Sequence, residues 1–294
     1  MYPAPFEYVE PTSLQEAVEL LSKYGESARI LAGGQSLIPL MKLRLVRPQY
    51  LIGLNRVPAL SYIKEHDGWL FIGALTRHAE IEESSIVQKK IPLMQQAARV
   101  IGDQQVRNLG TVGGAIVEAD PAGDWGPAVL ALNACFKCVG PQGERELKAK
   151  DFFSFAYTTA LHDNEVLTEI AVPLPSMPSL GTYMKLERVA GDFAIASVAI
   201  QMNLDKEGFC RDIGIGLGGV DDKPVKAPSV EALLRDQRLS HDAIDTAANR
   251  IQEIANPISD LRGSAEYKRE ALKVIFRRAL ERLIKQSPHS IELG

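Results

Sequence analysis

The sequence predicts an α+β chain, and three features carry that prediction. Segments with apolar residues at helical spacing are interspersed with short apolar runs bounded by turn residues, so helices and strands mix along the whole length. Three prolines, Pro173, Pro175 and Pro178, separate a longer N-terminal part from a shorter C-terminal one, because proline suits neither a helix interior nor an inner strand. The 294 residues are 46% hydrophobic and 24% charged, an ordinary soluble balance with enough apolar side chains for two or three domains.

The elements follow in order. In "TSLQEAVELLSKYGES" Ser13 is placed to cap a helix with Glu16 as its capping-box partner; Leu14, Ala17, Val18 and Leu21 share a face, and Gly25 stops it. "ARILAG" reads as a short buried strand. Between residues 49 and 76 apolar runs alternate with turn residues, which suits strands, and Asp67-Gly68 is a hairpin turn. "IPLMQQAARVIG" is helical with Pro92 in its first turn, and another helix starts near Asp124. "ACFKCVG" reads as a strand. Beyond the prolines, "ASVAIQMNLD" and "CRDIGIGLGGV" form a strand hairpin. Helices follow at "SVEALLRD", "SHDAIDTAANRIQEIA" and "SAEYKREALKVIFRRALERLIKQ", the last with Leu272, Ile275, Phe276, Ala279, Leu280 and Leu283 on one stripe above a solvated charged face.

Several function classes are excluded. A net charge of −4 argues against nucleic-acid binding, which needs a clustered basic excess. No apolar run approaches the roughly 18 residues of a spanning helix, and "MYPAPFEYVEP" has no secretory pattern. Three cysteines are too few for a disulfide scaffold, so the cytoplasm is the expected location. Cys135 and Cys138 would lie on opposite faces of a strand, and with Cys210 they fall short of the four thiolates of an iron–sulfur cluster. The five histidines lack metal-ligand spacing, and His78 reads as a surface residue at a helix start. "GIGLGG" satisfies GxGxxG, but "VDDKPVKAP" follows where a dinucleotide-binding helix would begin.

Two glycine stretches remain. "AGGQS" ends the buried strand; it is either a tight turn or a place where backbone N–H groups, freed of Cβ atoms, approach a phosphate with Ser36 adding a hydroxyl. "GTVGGAIVEADPAGDWGP" repeats the pattern about eighty positions later, with Thr111 before Gly113 and Gly114, then Asp124. Two such loops could close on one diphosphate. Asp124 could accept from sugar or ribityl hydroxyls, or cap the helix that follows it.

The chain resembles the FAD-binding medium subunits of the molybdenum hydroxylases, the group of carbon monoxide dehydrogenase, quinoline oxidoreductase and xanthine dehydrogenase. The match rests on "ILAGGQSLIPLMKLRL", "QQVRNLGTVGGAIVEADPAGDWGPAVLALNA", "YMKLERVAGDFAIASVA", "LGGVDDKPVKA" and "DLRGSAEYKREAL", which span nearly the whole chain in the family's order. The resemblance implies a two-lobed FAD-binding domain of p-cresol methylhydroxylase type, with lobes at 1–56 and 57–175, followed by a smaller α+β domain at 179–290. It implies one non-covalent FAD, with Ala32, Gly33, Gly34, Gln35 and Ser36 as the first pyrophosphate loop and Thr111, Gly113, Gly114 and Ala115 in the second. Asp124 would accept from FAD hydroxyls, Ile101 and Leu167 would make apolar contacts, and Lys185 would meet the flavin, with Tyr183 covering its ring. A core tyrosine and a surface lysine are the plain readings of those last two. Two positions depart from the pattern: Ala115 stands where relatives often carry Asn or Ser, and Glu118 where they carry small, hydroxylated or His residues, so Glu118 receives no role.

The implied function is electron transfer. An iron–sulfur subunit would deliver electrons drawn from a molybdenum-cofactor subunit, and the FAD would pass them to an external acceptor such as NAD, a quinone or oxygen. Catalytic residues are not expected in this chain, and a dimer of heterotrimers is the expected assembly. The rival readings are a self-contained flavin oxidoreductase on the same fold and a non-redox nucleotide-binding protein.

Overall fold

The computed structural model describes residues 2–175 and 179–286. The first helix, Leu14–Tyr24, forms where its apolar spacing and cap require. Ser13 Oγ accepts from Glu16 N at 3.1 Å, Ala17, Val18 and Leu21 are buried, and Gly25 ends it at φ 51°. The Glu16 carboxylate reaches one residue further back than a capping box demands, taking the N–H of Thr12 at 2.7 Å. This helix packs beside a three-stranded parallel sheet whose order is Glu7–Val9, Tyr50–Gly53, Ala28–Leu31. Its core, around Ile52, Leu54, Val57 and Leu60, also takes in Leu75 and Val166 from later in the chain.

The second sheet is antiparallel, ordered Ile63–His66, Trp69–Gly73, Val166–Pro173, Cys135–Gly140, Gly143–Lys148. Asp67 and Gly68, both at positive φ, make its first hairpin turn. Pro173 is the last residue of a strand rather than part of the linker, while Pro178 lies outside the described residues. The third sheet, Leu180–Leu186, Ala196–Leu204, Cys210–Gly218 and Val225–Lys226, is a meander covered on one face by the helices Pro228–Leu234 and Ala265–Gln286, against which His241–Ile254 packs. On the long last helix the apolar stripe is buried as its spacing requires, together with Lys268, which pairs with Asp260 at 2.8 Å.

Two helices, Pro92–Arg99 and Trp125–Ala131, lie between the second and third sheets and bind the two halves of the chain together. Strand alternation sets what each face of the third sheet meets. Along Leu180–Leu186, Tyr183 faces the N-terminal half while Leu180, Met184 and Leu186 pack on the C-terminal core. Along Cys210–Gly218, Ile213, Ile215 and Leu217 enter that core, and the glycines between them face helix Trp125–Ala131. A Cβ on Gly216 would lie 2.0 Å from Pro127 O, so "GIGLGG" is a seat for a helix backbone. Residues 104–118 carry no apolar periodicity long enough to read, yet form two short helices, Gln104–Leu109 and Val112–Glu118, capped by Asp103 and Thr111.

Candidate cofactor-binding site

Strand Ala28–Leu31 lies at one edge of the parallel sheet, and the chain leaves it through residues 32–36 into the short helix Leu37–Lys42. Gly34 takes φ +71°, a conformation that L side chains rarely adopt. No acceptor among the described residues takes the N–H of Gly33, Gly34, Gln35, Ser36 or Leu37; Ile38 is the first to bond back, to Gly34 O at 3.1 Å. Ser36 caps no helix N–H, and the loop is half-buried. Five consecutive amides in a half-buried turn form a concavity for an anion, since buried N–H groups need acceptors.

The second loop is built differently. Val112 N bonds Thr76 O at 3.0 Å, Gly113 N bonds Ala74 O at 2.9 Å, and Ala115 N bonds Thr111 O at 3.1 Å. Gly114 N bonds Thr111 Oγ1 at 3.1 Å. Only Thr111's own N–H has no acceptor among the described residues, and Thr111 is buried. This loop therefore braces the first one. A Cβ on Gly33 would lie 2.3 Å from Leu109 O and 2.7 Å from Gly110 Cα, so the two loops touch backbone to backbone. Arg77 clamps that contact, donating to Leu109 O and, at 3.0 Å, to Asn55 Oδ1 in the turn that follows strand Tyr50–Gly53. The surface the second loop presents is that of Gly114, which is exposed, and Ala115, which is half-buried.

His78 stands behind this contact and corrects its expected surface placement: it is 3% exposed, and its Nδ1 accepts from Trp125 Nε1 at 3.1 Å. Burial, then the charges of Arg107 and Arg77, push its pKa down to about 4, so the imidazole is neutral. Its backbone N–H bonds Gly110 O at 3.1 Å. Glu118, at the end of helix Val112–Glu118, accepts from the Ser36 hydroxyl across the two loops. Burial raises its pKa, with the Ser36 bond opposing and the charge of Asp120 reinforcing.

Asp124, Tyr183 and Lys185 meet in one cluster at the seam between the chain's halves. Asp124 occupies the cap position of helix Trp125–Ala131 but makes no cap bond. Its Oδ1 accepts from Tyr183 Oη at 2.7 Å and pairs with Lys185 Nζ at 3.2 Å. The Lys185 side chain is only 2% exposed, and its ammonium also reaches Val100 O and Asp192 O at 2.8 Å and Glu187 Oε2 at 3.0 Å. Burial pushes the Asp124 carboxyl up to about 6, opposed by Lys185 and the Tyr183 hydroxyl. The surface-lysine reading is thus corrected, because strand alternation turns Lys185 into the seam beside Tyr183, which sits in the core.

Of the other expected contacts, Ile101 is half-buried and its carbonyl accepts from Arg107 at 3.1 Å; Leu167 is a core residue on a central strand. Arg77, His78 and Trp125 were invisible as site residues in the sequence, since their partners lie 22 to 47 positions away. Among the described residues no cluster of three His, Cys, Asp or Glu side chains could hold a metal ion, and no helix is long and apolar enough to cross a membrane.

Comparison with known proteins matches residues 4–175 to the FAD-binding domain in molybdopterin dehydrogenase and residues 181–283 to the CO dehydrogenase flavoprotein C-terminal domain. The chain is 44% identical over 282 residues to the glyceraldehyde dehydrogenase medium chain of Sulfolobus acidocaldarius, covering 96% of this chain and 99% of that one. Among solved structures it superposes on a chain of carbon monoxide dehydrogenase from Hydrogenophaga pseudoflava, a form lacking the Mo-pyranopterin moiety of the molybdenum cofactor. That match has a TM-score of 0.94 and 40% identity, covering 96% of this chain and 98% of that one. Quinoline 2-oxidoreductase from Pseudomonas putida 86 gives a TM-score of 0.92 at 30% identity, with 97% and 99% covered.

Proposed function

The chain belongs to the FAD-binding medium subunits of the molybdenum hydroxylases, and on that premise we propose how its residues serve the cofactor and which partners it meets. It is the FAD-carrying electron-transfer subunit of such a complex. The observation that carries the site is the run of five amides at residues 33–37 with no acceptor among the described residues, which fits an FAD diphosphate and sits at the turn into a helix. Ala32 to Ser36 hold the diphosphate, and Gly114 and Ala115 form the opposite wall. The Thr111 hydroxyl and the Gly113 N–H hold the second loop in place rather than meet the ligand.

When bound, FAD supplies the redox chemistry, and the protein binds, orients and tunes it. Asp124, Tyr183 and Lys185 set the C-terminal domain against the FAD-binding domain, so any hydroxyl or ring edge they meet finds a fixed ion pair. Ile101 and Leu167 supply apolar backing. Asp124, Lys185 and His78 are each engaged internally, so none of these three is free for substrate acid–base chemistry.

We infer that electrons arrive from an iron–sulfur subunit fed by a molybdenum-cofactor subunit and leave to an external acceptor. The complex is a dimer of heterotrimers in the cytoplasm, and the FAD is non-covalent. The test is anaerobic mixing of the purified yellow chain with aldehydes, purines and N-heterocycles while flavin absorbance is followed, repeated after adding the two partner subunits. Bleaching only in the reconstituted complex is expected. Bleaching in the lone chain would overturn the electron-transfer reading, and a chain that takes up no flavin would overturn the cofactor site.

A further inference from the structure

We propose that Glu118 is a proton-linked gate on cofactor loading: the chain takes up a proton at this carboxylate when the FAD diphosphate enters loop 32–36, so FAD affinity falls as pH rises. The inference rests on the FAD reading above and goes beyond it. Its basis is a contact that no local pattern explains. Ser36 lies inside the run of open amides, yet its hydroxyl donates to Glu118, 82 residues away, instead of capping its own helix. A carboxylate is thus already held against the one stretch of the described chain whose donors suit an incoming diphosphate.

The surroundings give that carboxylate no compensating cation. Glu118 is half-buried, and no Lys or Arg pairs with it among the described residues. The groups facing it are the Ser36 hydroxyl from the loop, the Asp120 carboxylate two residues on, and Tyr157, whose hydroxyl is directed at Asp120 at 3.2 Å. Glu118 also ends its helix, where the last carbonyls disfavour negative charge. What favours the ionised form is the bond from the Ser36 hydroxyl. An arriving diphosphate occupies the open amides of the neighbouring turn and brings like charge against the carboxylate, and close anions do not both stay ionised. Protonated Glu118 keeps its contact by reversing it, donating its O–H to Ser36 Oγ or to a phosphate oxygen.

The sign follows from linkage. FAD raises the pKa of Glu118, so affinity is full and flat below the free-state value. It falls by at most about tenfold per pH unit between the free and bound values, and is flat again above. The other titratable group behind the loops, His78, is pushed to about 4 and stays neutral through the window.

The experiment is calorimetric titration of FAD into the deflavinated full chain between about pH 5.5 and 8.5, in buffers of different protonation heat, which counts protons directly. Wild type is expected to take up close to one proton per FAD in the falling part of the profile. Glu118→Gln is expected to take up none, to show a flat profile, and to bind FAD about tenfold or more tightly than wild type at the alkaline end. Wild-type binding without proton uptake overturns the inference by itself, with no variant needed. Equal uptake in wild type and Glu118→Gln assigns the proton elsewhere and also overturns it. No FAD binding by wild type at any pH overturns the cofactor reading, and this inference with it.

Discussion

Gly33→Ala places one methyl group where the two glycine loops touch. Its Cβ would lie 2.3 Å from Leu109 O, 2.9 Å from Leu109 C and 2.7 Å from Gly110 Cα, where ordinary contact begins at 3.4 Å. All three atoms are backbone, and Leu109 O is held by Arg77, so no side chain can swing aside. The loops must part by about 1 Å, and overpacking of this kind costs about 1–3 kcal/mol. Gly33 does not have positive φ, so the substitution adds no backbone strain and leaves its N–H in place. The expected outcome is a double loss. Apoprotein stability falls by about 1–3 kcal/mol, and FAD affinity falls about tenfold or more as the donors shift away from the diphosphate. Urea unfolding of the apoprotein gives the first, read from a lower midpoint at unchanged slope; FAD titration gives the second. If apoprotein stability is unchanged while FAD binding is lost, Gly33 is needed for close approach of the phosphate and the loop-contact reasoning is wrong. If both are unchanged, the loops do not meet as described.

Asp124→Ala leaves the buried Lys185 ammonium with Glu187 and two carbonyls, and is expected to cost about 3–5 kcal/mol, the range for breaking a buried pair. The double variant Asp124→Ala/Lys185→Met recovers a large part of that in chemical denaturation; strictly additive losses would refute the pairing. His78 has a folded pKa near 4, depressed from 6.5, so the stability it contributes is present above pH 6.5 and is lost as pH falls toward 4. Acid unfolding of wild type is therefore expected to show a stability loss on the order of 3 kcal/mol across that window, reduced in His78→Gln; identical acid profiles would refute a buried neutral imidazole. Gly216→Ala, with its Cβ 2.0 Å from Pro127 O, is expected to loosen the two halves of the chain, seen as faster amide exchange in helix Trp125–Ala131.

Where information was local, the sequence was sufficient. The Ser13 cap, the Asp67-Gly68 turn, Pro92 in a first turn and the stripe on Ala265–Gln286 each depend on residues a few positions apart, and each formed where the pattern placed it. The family motifs were legible for the same reason, as contiguous strings in a fixed order. What no local pattern carries is which strings meet in space. Asp124 read as a hydroxyl acceptor with a helix cap as its strong alternative; only the alternation of strand Leu180–Leu186, laid across the seam, brought Tyr183 and Lys185 to it and left the cap unmade. The two glycine loops carry the same residue grammar, yet only the first keeps a run of amides open, because Thr76, Ala74 and Thr111 take the N–H groups of residues 112–115 in the second. Glu118 stood out in the sequence only as a departure from the family pattern, and its bond to Ser36 came with the fold. The sequence by itself thus determined the elements with a clear local pattern, the family and the cofactor class. Which donors stay free, which charges are buried and what opposes them were decided by tertiary packing, because a hydrogen bond or an ion pair exists only once the fold has brought both partners within reach.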